Sequence, residues 1–183
     1  AYTVVGLAEP ARIPLVVAES LPHFVGALDV VVVVGERAEC DWASRALIAA
    51  DKRGAATVLV GPSRGPLVED APESTFVAPT LPTAEGASPA RFIAALYAVA
   101  AVLEEEGELV ARRLEEAADA VDRELEALSP EHDSATNPGR ELREFVEGAR
   151  VIHSCGVDPY SWSEERSGVF INALVARMAA AAW

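Results

Sequence analysis

Basic residues are scarce in this chain, and lysine is nearly absent. The 183 residues carry 15 Lys and Arg against 29 Asp and Glu, a net charge of −14, and Lys52 is the single lysine. Nucleic-acid binding needs a basic face to neutralise phosphate, and with none in view that partner is excluded. Glutamine is missing and asparagine occurs twice, at Asn137 and Asn172. Ala, Arg, Gly, Pro and Val are abundant instead, the mark of GC-rich coding and of a bacterial source. Cys40 and Cys155 are too few for a disulfide framework and are expected to be reduced in a cytosolic setting. No apolar run reaches the roughly 18 residues of a membrane span. The best runs, 30–34 and 92–103, fall short, and no signal-peptide pattern opens the chain. The reading is a soluble, intracellular, cytoplasmic protein with no membrane partner. The chain starts at Ala1 rather than Met and stops at Trp183 after an alanine run, which reads as a piece of a longer protein.

What is present is globular. Hydrophobic residues make up 51% and charged residues 24%, which excludes a mainly disordered chain and suits one domain of ordinary size or two small halves of one fold. Residues 15–19 (LVVAE) are a short apolar run. Residues 29–35 (DVVVVVG) hold five consecutive valines with no alternation, the pattern of a central parallel strand covered on both faces. Residues 41–53 have helical spacing, with Trp42, Leu47, Ile48 and Ala50 on one face and Gly54 as the stop. Residues 57–61 read as the next strand, 67–71 as at most a short helix, and 74–78 as a further strand. Strand–helix–strand units of this size imply βαβ crossovers and a layered α/β fold.

After Pro79 the character changes. A loop rich in Pro, Gly, Ser and Thr leads to Ser88 as N-cap and Pro89 in the first turn of a helix over 89–106. That helix is apolar nearly all round to Leu103 and is expected to be buried. A second helix follows Gly107, with Val110, Leu114, Ala117, Val121, Leu125 and Leu128 forming an amphipathic stripe that ends at Ser129-Pro130. Between Glu104 and Glu147 there are 15 acidic and five basic residues, so −10 of the −14 lies there. This is a solvated helical face or an acidic docking surface for a basic partner. Asn137 then caps a helix over 140–147, a strand is expected over 149–154, and Ser161 or Ser163 caps a last helix to about residue 182.

In an open α/β sheet, ligands bind beyond the carboxyl ends of the strands. Three segments qualify: 35–41, 61–65, and 154–156 with 161–165. None is a phosphate loop or a dinucleotide fingerprint. Within them Gly35, Arg37, Ser63, Arg64, Ser154 and Gly156 are the candidate ligand-binding residues. Glu164 and Glu165 are candidate general bases, or simply carboxylates complementing a helix dipole. Cys40, Asp41, His23 and His153 lack metal-ligand spacing, and neither a metal nor a cofactor is implied. His153 beside Cys155 has no third group to orient a nucleophile.

These residues resemble a family. Leu21-Pro22-His23-Phe24-Val25 followed by 29–34 is similar to the "LP-x-FV … DLVI" lead-in of bacterial bifunctional phosphoglucose/phosphomannose isomerases, members of the sugar isomerase (SIS) superfamily. Arg53-Gly54-Ala55 ("RGA"), Gly65-Pro66-Leu67 ("G-x-L"), the 79–91 loop and Asn137-Pro138 ("NPAK-x-LA") agree in order. The divergent TobH-like members are a closer match. The resemblance implies two subdomains, each a parallel sheet with helices on both faces, in a three-layer sandwich. The first would be 1–106, a connecting helix and linker 107–136, and an incomplete second half 137–183. A homodimer is also implied.

The family interconverts aldose and ketose phosphates through a cis-enediolate. It uses a Ser/Thr loop for phosphate, an arginine, a glutamate base and a histidine. Where the family has S-x-S-G-x-T, this chain has Gly35-Glu36-Arg37-Ala38-Glu39-Cys40, replacing donors to phosphate with carboxylates that repel it. The family's Pro-Arg falls at Pro89-Ala90-Arg91, which makes Arg91 a candidate catalytic residue. The family's "NEN" falls at Asn172-Ala173-Leu174, with alanine in place of the base. Loss of a general base typically costs about 10²–10⁴-fold. The resemblance therefore implies a sugar-phosphate-binding SIS protein with weak or lost isomerase activity. The alternatives are a working isomerase with a rearranged site using Arg91, Arg37 and Glu164 or Glu165, or an interaction module with an acidic helical surface.

Overall fold

Five valines in a row make β1 (Val30–Val34), because β-branched side chains pack well on a pleated surface. β2 (Ala56–Val60) pairs with it in parallel, Val31 opposite Thr57 and Val33 opposite Leu59, and β3 (Phe76–Val77) pairs in parallel with β2. The protein, seen in a computed structural model, is described at Val4 and at residues 12–35, 37–80, 88–133 and 135–152. It has two compact units, one of Ile13–Val99 with Ala1, the other of Tyr2–Arg12 with Ala100–Trp183.

The first unit is α/β, with a parallel sheet of three strands among the described residues and helices, a partial α/β sandwich. Parallel strands need a long crossover, and between β1 and β2 it contains α1 (Asp41–Lys52). Ala43, Leu47 and Ala50 are its buried stripe. They close on the side of the sheet that carries Val33 and Leu59, and Leu67 of the short α2 (Pro66–Glu69) completes this core. Val60, on the opposite side, is fully buried. Thr57, a buried hydroxyl, is satisfied by Thr75 Oγ1 at 2.8 Å.

α1 ends in a Schellman motif. The N–H of Ala55 donates to the Ala50 carbonyl at 3.1 Å and that of Gly54 to the Asp51 carbonyl at 2.8 Å. Gly54 has φ +81°, the left-handed conformation that glycine adopts without a Cβ penalty. Arg53 then donates to the Pro22 carbonyl at 2.8 Å, so the Arg-Gly-Ala turn also fastens the entry to the domain.

Several expectations are corrected. The valine strand was expected at the centre of the sheet, but among the described residues the order β1-β2-β3 puts β2 there. A continuous apolar run reports cover on two faces and says nothing of pairing on two edges. Trp42 is 54% exposed. It sits about 140° around the helix from Leu47, and Ala43 takes the inward place. Residues 15–19 form no regular element, with Val16 and Val17 exposed. The apolar helix is α3 (Pro89–Val102), shorter than expected and with no buried residue. Its Ser88 cap does form: Ser88 Oγ accepts from the Arg91 N–H at 3.3 Å.

In the second unit, α4 (Gly107–Ala127) has the expected stripe, yet only Val110 is buried and Leu114 half-buried, while Val121, Leu125 and Leu128 are exposed. α5 (Pro138–Val146) is capped by Asn137, whose Oδ1 accepts from Gly139 N at 3.0 Å and Arg140 N at 3.2 Å. The Asn137 Nδ2 donates to the Ser129 carbonyl at 2.8 Å, so this buried amide joins the end of α4 to the start of α5. The strand expected over 149–154 is absent from 149–152, where Ile152 is exposed, and 153–154 lie outside the described residues.

Candidate functional site

All strands of a parallel sheet point the same way, so the segments leaving β1, β2 and β3 emerge at one end. They are tied together by main chain. The Gly35 N–H donates to the Val60 carbonyl at 3.1 Å, the Leu67 N–H to the Ala38 carbonyl at 3.0 Å, and the Ala78 N–H to the Leu59 carbonyl at 2.8 Å. Gly65 has φ +102°, and a Cβ there would lie 2.7 Å from the Ala38 Cβ, so the loops after β1 and β2 touch where only glycine fits.

Arg91 completes the arrangement from the first turn of α3. Its Nη1 donates to the Gly61 carbonyl at 2.8 Å, Nη2 to the Ala78 carbonyl at 2.7 Å and Nε to the Pro79 carbonyl at 3.0 Å. Three of the five guanidinium N–H groups are thus engaged by carbonyls at the ends of β2 and β3. The arginine expected to steady a reaction intermediate holds the protein's own loops.

The other expected site residues divide. Gly35 is buried and its N–H serves the sheet, so it is not placed to donate to an anion. Arg37, Ser63 and Arg64 are exposed at this end of the sheet, two cations and a hydroxyl on two interlocked loops. Glu39 is exposed on the same loop as Arg37, and Asp41 follows in the first turn of α1. Cys40 is half-buried against the core as a free thiol, a packing role. Ser154, Gly156, Glu164 and Glu165, with Glu36, His153 and Cys155, lie outside the described residues.

Sequence reasoning missed the Arg91 clamp and the Gly65–Ala38 contact. The only available signal was the Gly-Pro-Ser-Arg-Gly-Pro turn, whose two glycines mark close backbone approach without naming the neighbour. Among the described residues, no group of three or more His, Cys, Asp or Glu is gathered as metal ligands would be. No described helix is long and apolar enough to cross a membrane. Comparison of the chain with protein-family models, with curated proteins and with solved structures gave no match.

Proposed function

We propose that this protein is a non-catalytic relative of the phosphosugar isomerases, a SIS-type α/β protein that binds a sugar phosphate or a related anionic carbohydrate derivative with weak or no isomerase activity. One observation carries the reading: the Arg91 guanidinium is bonded to three main-chain carbonyls. An arginine so occupied builds the loop cluster rather than stabilising an enediolate. The exposed Ser63 and Arg64 support anion binding at the second loop. The carboxylates of Glu39 and Asp41 oppose it near the first, so binding is weak. A working isomerase with a rearranged site is disfavoured by the same clamp, since it engages Arg91, one of the two arginines such a site would use.

The test is isothermal titration of the purified chain with glucose 6-phosphate, mannose 6-phosphate and unphosphorylated glucose, alongside an aldose–ketose turnover assay. Saturable binding of the phosphorylated sugars, weakened about tenfold by Arg64→Ala, with no turnover, is expected. Efficient turnover overturns the non-catalytic reading. Equal response to glucose, or no response to any of the three, overturns phosphosugar binding.

A further inference from the structure

The apolar stripe of α4 changes character along its length. Val110 is 2% exposed and Leu114 is half-buried, but Val121 is 57% and Leu125 63% exposed. At 100° per residue, Val121, Leu125 and Leu128 fall within about 60° of one another, one continuous strip on the second half of the helix. Glu124 borders this strip on one side, and Asp122, then Glu115 and Glu126, border it on the other. The arginines of α4 do not offset them. Arg112 and Arg123 lie on the far side of the helix, and Arg113 is paired with Glu105.

An apolar strip between two acidic borders states the chemistry of what would cover it. We propose that the second half of α4 is a docking surface for a basic amphipathic helix of a partner protein. Apolar side chains at i, i+3 and i+4 of that helix would lie on Val121, Leu125 and Leu128, and flanking Lys or Arg would meet Glu124 and Asp122. A second copy of this chain fits poorly, because helix-on-helix pairing would set the same acids against each other in a protein of net charge −14. An anionic membrane is repelled for the same reason. The surface uses none of the residues in the loop cluster and stands whether or not a phosphosugar binds there.

The probe is a fluorescein-labelled peptide of about 18 residues, with Leu along one helical face and Lys on its borders, titrated into the full chain by anisotropy. A scrambled peptide of identical composition, lacking an apolar face, is the control. Saturable binding of the patterned peptide is expected, about tenfold weaker with Leu125→Asp and also with the pair Asp122→Lys and Glu124→Lys. The charge-reversed chain should in addition lose most of the salt dependence. Leu125→Ala is a milder variant of the same exposed position, and circular dichroism checks that both retain the helix. Equal binding of the scrambled peptide, or no change with either Leu125 variant, overturns the proposal. So does a native dimer that Leu125→Asp alone splits, which gives the strip to a second copy, or flotation of the chain with anionic vesicles.

Discussion

Arg91 Nη1 donates to the Gly61 carbonyl at 2.8 Å, so the first turn of α3 is fastened to the end of β2, thirty residues earlier in the chain. With the bonds to Ala78 and Pro79, one side chain holds the ends of two neighbouring strands. Arg91→Ala should lower unfolding free energy by about 2 kcal/mol, since the carbonyls regain only part of their bonding from water. Arg91→Lys should recover little, because an ammonium lacks the planar fork that reaches three acceptors. Urea titration followed by circular dichroism checks both, and an unchanged midpoint would remove the clamp from the stability argument.

Gly65 combines a positive φ with a neighbour that leaves no space for a methyl group. Gly65→Ala should destabilise the first unit by about 2 kcal/mol, part from left-handed backbone and part from the Ala38 contact. Adding Ala38→Gly should restore the second part only. Thermal unfolding of the two variants separates the contributions; full recovery in the double variant would mean that backbone conformation costs nothing here.

The paired Arg113 guanidinium holds the Glu105 carboxyl below the usual carboxylate range, first by hydrogen bonding and then by its charge. A depressed folded-state pKa contributes stability above the unfolded-state value and loses it as pH falls through the folded one. The Glu105–Arg113 contribution is therefore kept at neutral pH and disappears only on the acid side of ordinary glutamate titration. Carboxyl-carbon NMR should place the Glu105 midpoint below the free value of about 4.3, and Arg113→Ala or high salt should return it toward that value.

The alternating strand–helix pattern was legible because its signals are local. Valine runs, the glycine after α1 and the Ser88-Pro89 and Asn137-Pro138 starts each act within a few residues, and each stands where expected. What depends on a distant partner was not legible. β1 sits at one side of the described sheet because β2 has neighbours on both edges, a fact of pairing that a run of valines does not encode. α3 is apolar by composition, yet apolarity names no surface to pack on, and none of its residues is buried. The stripe of α4 was read with the right spacing, but its cover ends after Leu114.

The candidate site follows the same division. Arg37, Ser63 and Arg64 were identified by their position after strands, and they do stand exposed at that end of the sheet. Arg91 was identified as a cation and turned out to be bound to carbonyls at 61, 78 and 79, a relationship fixed only once three separate segments converge. Gly35 was among the candidate ligand-binding residues, and its N–H belongs to the Val60 carbonyl.

The amide that joins α4 to α5 is followed directly by proline. Asparagine ages chemically when the next main-chain nitrogen attacks the side-chain amide and closes an imide ring, and a prolyl nitrogen carries no hydrogen with which to do so. That imide route is therefore closed to Asn137, and its nitrogen donor is not lost by it. Conversion to aspartate would have cost it the bond to Ser129 and left two oxygens facing each other.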